Sequence, residues 1–368
     1  MNLRRFPGLA IVLAFYMCFT GQARADSWQH DVTTLLSTEF DTNPVMSPTY
    51  TGGVWRELFE PSYSLTGKFG EDELKSGLAL QIARSSNATL SPFRESPTIF
   101  VDWLRQINAG EFGISSRYAE IATRDSGIDA TGLVQVASTR TSRTLNGKLN
   151  QAVNERNSLS ADVLFDDVSY QGGAYIDYAT RSANMTHSYN WSELSTTFLR
   201  IYHADYVPKG LGSSTQLTSA TLGLNWKTTD SLEGTLQLGK AKISDAGMAT
   251  LGTASIQYTG QRNMLILNAN REVSPSGIGG FVTVDHVIGN WNYDLNEGSK
   301  IGIDLEWRKN LFNTDIINRT FGAWLQQDLN PFWRLRTYYR YNILNGGLGD
   351  GATSNILGLN LVYTHTDF

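Results

Sequence analysis

Residues 159–165, LSADVLF, alternate Leu159, Ala161, Val163 and Phe165 with Ser160, Asp162 and Leu164. Residues 220–227 repeat the device, with Ala220, Leu222, Leu224 and Trp226 opposite Thr221, Gly223, Asn225 and Lys227. A third copy sets Ile301, Ile303, Leu305 and Trp307 against Gly302, Asp304, Glu306 and Arg308. Successive side chains of a strand point to opposite faces, so a period of two gives each segment one apolar and one polar face. About eighteen such segments follow one another, the first near 29–41, the eighth near 174–191, the fourteenth near 278–290 and the last near 354–367.

Polar turns separate them at 108–110 (NAG), 154–157 (NERN), 192–193 (SE), 228–230 (TTD), 260–263 (GQRN) and 328–331 (DLNP). Hairpins of roughly 30–40 residues lie between, which is the length of two membrane strands and a loop. Several restart alike, at Ser158-Leu159, Glu193-Leu194, Ser231-Leu232 and Met264-Leu265. A soluble β-solenoid would show a shorter and stricter period.

Residues 331–342, PFWRLRTYYRYN, narrow the environment. One parity carries Trp333, Leu335, Thr337, Tyr339 and Tyr341, and the other Arg334, Arg336, Tyr338, Arg340 and Asn342. A soluble sandwich would bury the aromatic face and scatter mixed charge outside. Three arginines on one face fit a wall with lipid on one side and a wet lumen on the other. Arg334, Arg336 and Arg340 then face water, as do Asp304, Glu306 and Arg308 by the same parity. Two readings stay open: a positive ladder that holds anions briefly, or arginines that pair across strands with Asp304 and Glu306 and stiffen the wall.

In hydrocarbon an unpaired backbone donor is too costly to persist, so a sheet that crosses a membrane must close on itself. The expected fold is therefore all-β: a transmembrane antiparallel up-and-down barrel of 16–18 strands, one domain over residues 26–368. Tyr189, Trp191, Trp226, Phe332 and Trp333 flank the turns and are expected to form an interfacial aromatic belt against the outer-membrane lipids.

Composition agrees. The 368 residues include 34 Gly, 16 Tyr, 16 Phe and 9 Trp with only 18% charged, a β-rich profile. Arg4 and Arg5 precede an apolar run from Leu9 to Phe19, and Ala23-Arg24-Ala25 supplies small residues for cleavage, so residues 1–25 read as a signal peptide. Cys18, the sole cysteine, falls within it. Loss of Arg4, Arg5 and Arg24 leaves 27 basic against 35 acidic residues and moves the formal charge from −5 to −8. That balance excludes a nucleic-acid partner. No later run reaches the ~18 apolar residues of a membrane helix.

The last strand ends in Phe368, which resembles the assembly signal of bacterial outer-membrane barrels, and STEFDTNPVMSP (37–48) resembles the opening of bacterial β-barrel porin families, including those associated with exopolysaccharide and exosortase gene clusters. The resemblance implies outer-membrane localisation, handling by the barrel assembly machinery, and passage of polar or anionic solutes, with anionic polysaccharide among them. Leu357, Leu359, Leu361 and Tyr363 have the parity opposite to Phe368, so a bulge near Thr364–Thr366 is expected to reset the phase. No plug domain is evident, and the outer loops at 42–53, 85–97, 124–131, 207–214 and 345–352 are short.

Two other function classes compete with a channel. An outer-membrane hydrolase would use His203 and Asp205 near a strand end, with Asp162 and Asp166 on the preceding hairpin. Against it, Asp285-His286 and His187-Ser188 are sequence neighbours and point to opposite faces, and the five histidines show no metal-ligand spacing, so neither catalytic residues nor a cofactor or metal is expected. A structural or adhesive barrel would carry function in its loops, which Gly172-Gly173 and Gly346-Gly347 keep small.

Overall fold

The computed structural model describes residues 27–49, 52–123, 138–172, 175–210, 212–311, 315–346 and 351–367. They form β1 (Ser27–Asp41), β2 (Val54–Phe69), β3 (Asp72–Ser85), β4 (Arg94–Ile107), β5 (Gly110–Ala122), β6 (Thr139–Ala152), β7 (Asn157–Gln171), β8 (Tyr178–Ser192) and β9 (Ser195–Pro208). The second half supplies β10 (Thr215–Thr229), β11 (Leu232–Ile243), β12 (Gly247–Thr259), β13 (Asn263–Pro275), β14 (Phe281–Asn296), β15 (Ser299–Leu311), β16 (Asp315–Asp328), β17 (Trp333–Gly346) and β18 (Ala352–Asp367). Each strand pairs with its neighbours in the chain, and β1 pairs antiparallel with β18 from His30–Asp367 to Asp41–Ile356, which closes an 18-stranded barrel.

Strands of 12 to 16 residues, tilted, are long enough to cross a bilayer and stand clear of it. Tight turns such as 70–71, 193–194 and 297–298 join them at one end, where β1 begins and β18 stops. Longer connections lie at the other. Short periplasmic turns and longer outer loops are the rule for such barrels, so the turn end is periplasmic and the loop end external. An uninterrupted antiparallel meander with both ends on one side is the outer-membrane fold.

Parity sorts the wall as the sequence predicts. Val163, Leu222 and Leu305 are 59%, 63% and 51% exposed, although apolar, because they face outward. Leu159, Ile303 and Leu335 share their parity. Outward charges lie at the external end, as in Arg271–Asp285 at 2.5 Å and Lys309–Asp315 at 2.6 Å, or at the periplasmic rim, where Trp103 Nε1 donates to Asp72 at 3.1 Å. Between them runs the uncharged band that a lipid core demands.

The lumen departs from the expected open channel. The connection 276–280, expected to open a strand at 278, folds inward and lies against β7–β10 across the lumen. Pro275 ends β13, and Gly279 and Gly280 take φ of 112° and 69°, which L side chains rarely adopt. The Ile176 amide donates to the Gly277 carbonyl at 2.7 Å, and the Tyr206 hydroxyl to that of Ser276 at 3.1 Å. Gly277 is glycine for a different reason: a Cβ there would come within 2.6 Å of the Tyr170 hydroxyl.

Phe281 is drawn into a buried cluster with Val168, Tyr178, Ala204, Tyr206, Leu217, Ala241 and Ile243. Tyr178 stacks on Tyr206 at 4.8 Å, and Phe281 meets Tyr206 edge-on at 6.0 Å. Each large side chain so buried adds about 1.5–3 kcal/mol, enough to pin a five-residue loop. One side of the upper lumen is thus filled with protein.

Three expectations change, and three fall outside the described chain. β8 starts at Tyr178, not near 174, and β14 at Phe281. β18 keeps a continuous register with β1 through Asp367, so the bulge at Thr364–Thr366 is absent and the phase is not reset. Phe368, residues 1–26 with the signal sequence, and the loop at 124–131 lie outside the described residues.

Candidate functional site

With β7–β11 covered, the lumen stays open on the opposite wall. A cavity of about 630 Å³ runs along β15–β18, β1 and β2. Even-numbered residues of β15–β18 and β2 and odd-numbered residues of β1 point into it, because the alternate positions carry the lipid-facing Leu305, Phe321, Tyr339, Leu357, Leu36 and Phe59.

Glu39 of β1 is its anchor. Arg56 of β2 donates to Glu39 Oε1 at 2.6 Å, and the Tyr338 hydroxyl of β17 donates to Oε2 at 2.7 Å. Both guanidinium and carboxylate are largely shielded, with side chains 15% exposed, and the trio spans the seam where first and last strands meet. Asp41 above it is buried and accepts from Ser354 and from the Asn43 amide. Asn43 in turn reaches Ser47 and Thr353 carbonyls at 2.8 and 3.0 Å, so the loop after β1 is tied down over the cavity.

The sequence-predicted residues separate by height. Arg334 lies at the periplasmic rim and donates to Asp328 at 2.9 Å. Arg336 lies over the Trp324 ring at 4.1 Å and approaches Asp304 at 3.6 Å, across β16. Arg340, four residues on and so about 13 Å further along the strand, is exposed and rests at 5.7 Å on the Tyr338 ring. Its register neighbours are Gly322 and Ile356, and among the described residues no carboxylate lies within ion-pair distance.

Asp304 also accepts from Asn290 at 2.7 Å, Glu306 is taken by His286 at 2.9 Å rather than by an arginine, and Arg308 donates to Asn310 at 3.2 Å. The three arginines therefore do not form one ladder. One is neutralised at the rim, one is half paired and stacked, and one is open to the lumen.

This wall can hold an anion. A guanidinium fixed by a ring beneath it loses little freedom on binding and offers parallel donors to a carboxylate. Trp324 and Tyr338 add flat apolar surface beside the charge, which suits a ring that carries an acid group. Sequence parity had placed Tyr338 among the arginines. Glu39 and Arg56 were not foreseen, since they lie 299 and 282 residues from Tyr338 and meet it only through closure.

The belt residues sit at the periplasmic rim: Tyr189 packs edge-on with Trp191 at 4.9 Å, Trp333 on Tyr363 at 5.0 Å, Phe332 on His365 at 5.3 Å, and Trp226 precedes the turn after β10. The hydrolase constellation does not assemble. His203 and Asp205 face outward, 3.6 Å apart, with His203 Nδ1 at 2.9 Å from the Thr218 hydroxyl, whereas Asp162 and Asp166 face the lumen beside Asn184 and Thr144. The wall separates the two pairs. Asp285 and His286 likewise diverge, the first to Arg271 outside and the second to Glu306 inside.

No family model and no curated protein sequence matches the chain. Solved structures do. OccK2 (OpdF) of Pseudomonas aeruginosa, in complex with glucuronate, superposes with a TM-score of 0.57 at 12% identity over 94% of this chain and all of that one. Acinetobacter baumannii OccAB2 gives 0.55 at 14% identity over 94% and 100%, and P. aeruginosa OpdK with vanillate 0.53 at 13% over 93% and 100%. At such identities the likeness is one of fold.

Proposed function

We propose that the protein is a diffusion channel of the outer membrane for small carboxylated solutes, which pass along the β15–β2 wall. The observation that carries this reading is Arg340, a guanidinium open to the cavity with no carboxylate partner among the described residues, with the stacked Arg336 next below it. The fold it shares with structures that contain glucuronate and vanillate supports the same class of solute. The chemistry is non-covalent: the arginines exchange one carboxylate for the next, and direction comes from the gradient.

Export of an acidic polysaccharide is the second reading, favoured by the resemblance of residues 37–48 to exopolysaccharide-associated porins. The fixed inward loop counts against it, because a polymer needs a continuous bore whereas a small acid needs only the cavity. Purified protein in planar bilayers separates them. Under a salt gradient, Arg340→Ala should shift the reversal potential toward cations and weaken block by glucuronate at least several-fold, with heat-modifiable migration intact. A folded variant with unchanged selectivity would assign Arg340 to structure, and block by long acidic oligosaccharides alone would favour export.

A further inference from the structure

We propose that the outer wall of β13–β17 binds the phosphorylated glycolipid of the outer leaflet, lipid A, with one acyl chain in a groove and one phosphate on Arg319. This site lies on the opposite side of the wall from the solute path and stands independently of the channel reading.

The groove, of about 350 Å³, is lined by Leu267, Val287, Gly289, Leu305, Phe321 and Ile343. Gly289 creates it. In a band where neighbours carry leucine, valine or phenylalanine, this position carries no side chain, and a Cβ there would come within 3.3 Å of Leu267 Cδ2. The floor is apolar throughout, as an acyl chain requires.

Arg319 stands at the upper end of the groove, on the parity of Phe321, between Trp307 of β15 and Ile343 of β17. It is exposed, and among the described residues no carboxylate pairs with it. Nine residues above Asp328, at ~3.3 Å each and a tilt of ~45°, it lies about 21 Å above the turn end, near the top of an apolar band ~25 Å tall. A guanidinium at that level is stable only where it reaches an anion or the headgroup layer.

Its surroundings are cationic. On the outward faces of β11–β17 the described residues include Lys240, Lys242, Arg271, Lys309 and Arg319 against the two carboxylates Asp285 and Asp315. That arc is positive on a chain with a net charge of −5. Arg271 and Lys309 are held by their carboxylates and Lys240 by Thr250 at 2.7 Å, which leaves Arg319 as the cation above the groove without a protein anion. Lys240 and Lys242 of β11 also lack a protein anion among the described residues, so the arc offers separated cations to a disaccharide that bears two phosphates and several chains; a single phosphodiester would satisfy only one of them.

The test uses the full protein in detergent, incubated with bisphosphorylated hexa-acyl lipid A and read by native mass spectrometry. Retention is expected for the wild type and not for phosphate-stripped lipid A. Arg319→Ala should bind roughly tenfold more weakly, the loss of one charge-assisted contact, and Arg319→Lys should fall between. Gly289→Leu, which fills the groove and leaves every charge in place, should weaken retention as well. Heat-modifiable migration verifies folding of each variant. Unchanged retention in either folded variant, or retention of phosphatidylglycerol equal to that of lipid A, overturns the proposal.

Discussion

The Tyr338 hydroxyl shows how little separates structure from function on this wall. It donates to Glu39, which also holds Arg56, and its ring carries Arg340. Tyr338→Phe keeps the ring and removes one hydrogen bond to a carboxylate, so it should lower stability by about 1.5–3 kcal/mol while anion selectivity, which depends on the ring and on Arg340, is retained. Urea unfolding with parallel reversal-potential measurements would show it. Loss of selectivity in Tyr338→Phe would mean instead that the Glu39 bond positions Arg340. At this scale the sequence was legible in its parity: Arg336, Tyr338, Arg340, Asp304 and Glu306 all face inward as alternation required. Partners were not legible. Nothing in a period of two could say that Glu306 would meet His286, or that Arg334 would lie low enough to reach Asp328.

Strands were the most readable elements because the bilayer allows them a single solution. A membrane strand must show an apolar outward face over its middle, and each of the eighteen does. The lipid face supplies a direct measurement. Leu222, 63% exposed and about midway along β10, should lose ~2–4 kcal/mol on replacement by arginine, whereas Asn225, inward and exposed, should accept arginine at little cost; reversible folding into vesicles reports both. Thr221 would be a poor control, since it is inward yet only 4% exposed and packs against Gly239. The inward loop is the element that sequence reading missed. Its signal, Pro275-Ser276-Gly277-Ile278-Gly279-Gly280, reads as a plain turn, and only the ring of Tyr170 makes the absence of a side chain at 277 a docking requirement. Gly277→Leu should therefore lift the loop from Tyr170 and raise single-channel conductance, with the barrel still heat-modifiable; an unchanged conductance would show that the loop does not narrow the pore.

At the scale of the whole molecule the barrel is asymmetric inside a symmetric wall. An apolar cluster and the inward loop occupy β7–β11, and charged and aromatic groups line β15–β2. That asymmetry makes a prediction of opposite signs. Glu39→Gln removes the carboxylate from Arg56 beside the cavity, so the wall becomes more positive and the reversal potential should shift toward anions, the reverse of Arg340→Ala. Arg200 tests the geography. It is inward and exposed a little below the middle of β9, on the wall opposite the cavity, where its Nε donates to Thr186 at 3.4 Å and its guanidinium lies 5.8 Å from the Phe198 ring. Selectivity is set where solutes touch the wall, and a charge across the lumen from the path is screened over ~8 Å at physiological salt. Arg200→Ala should thus leave the reversal potential nearly unmoved although it deletes the same charge as Arg340→Ala. Equal shifts from the two variants would mean that ions use the full cross-section and that the path is not confined to the wall beside the seam.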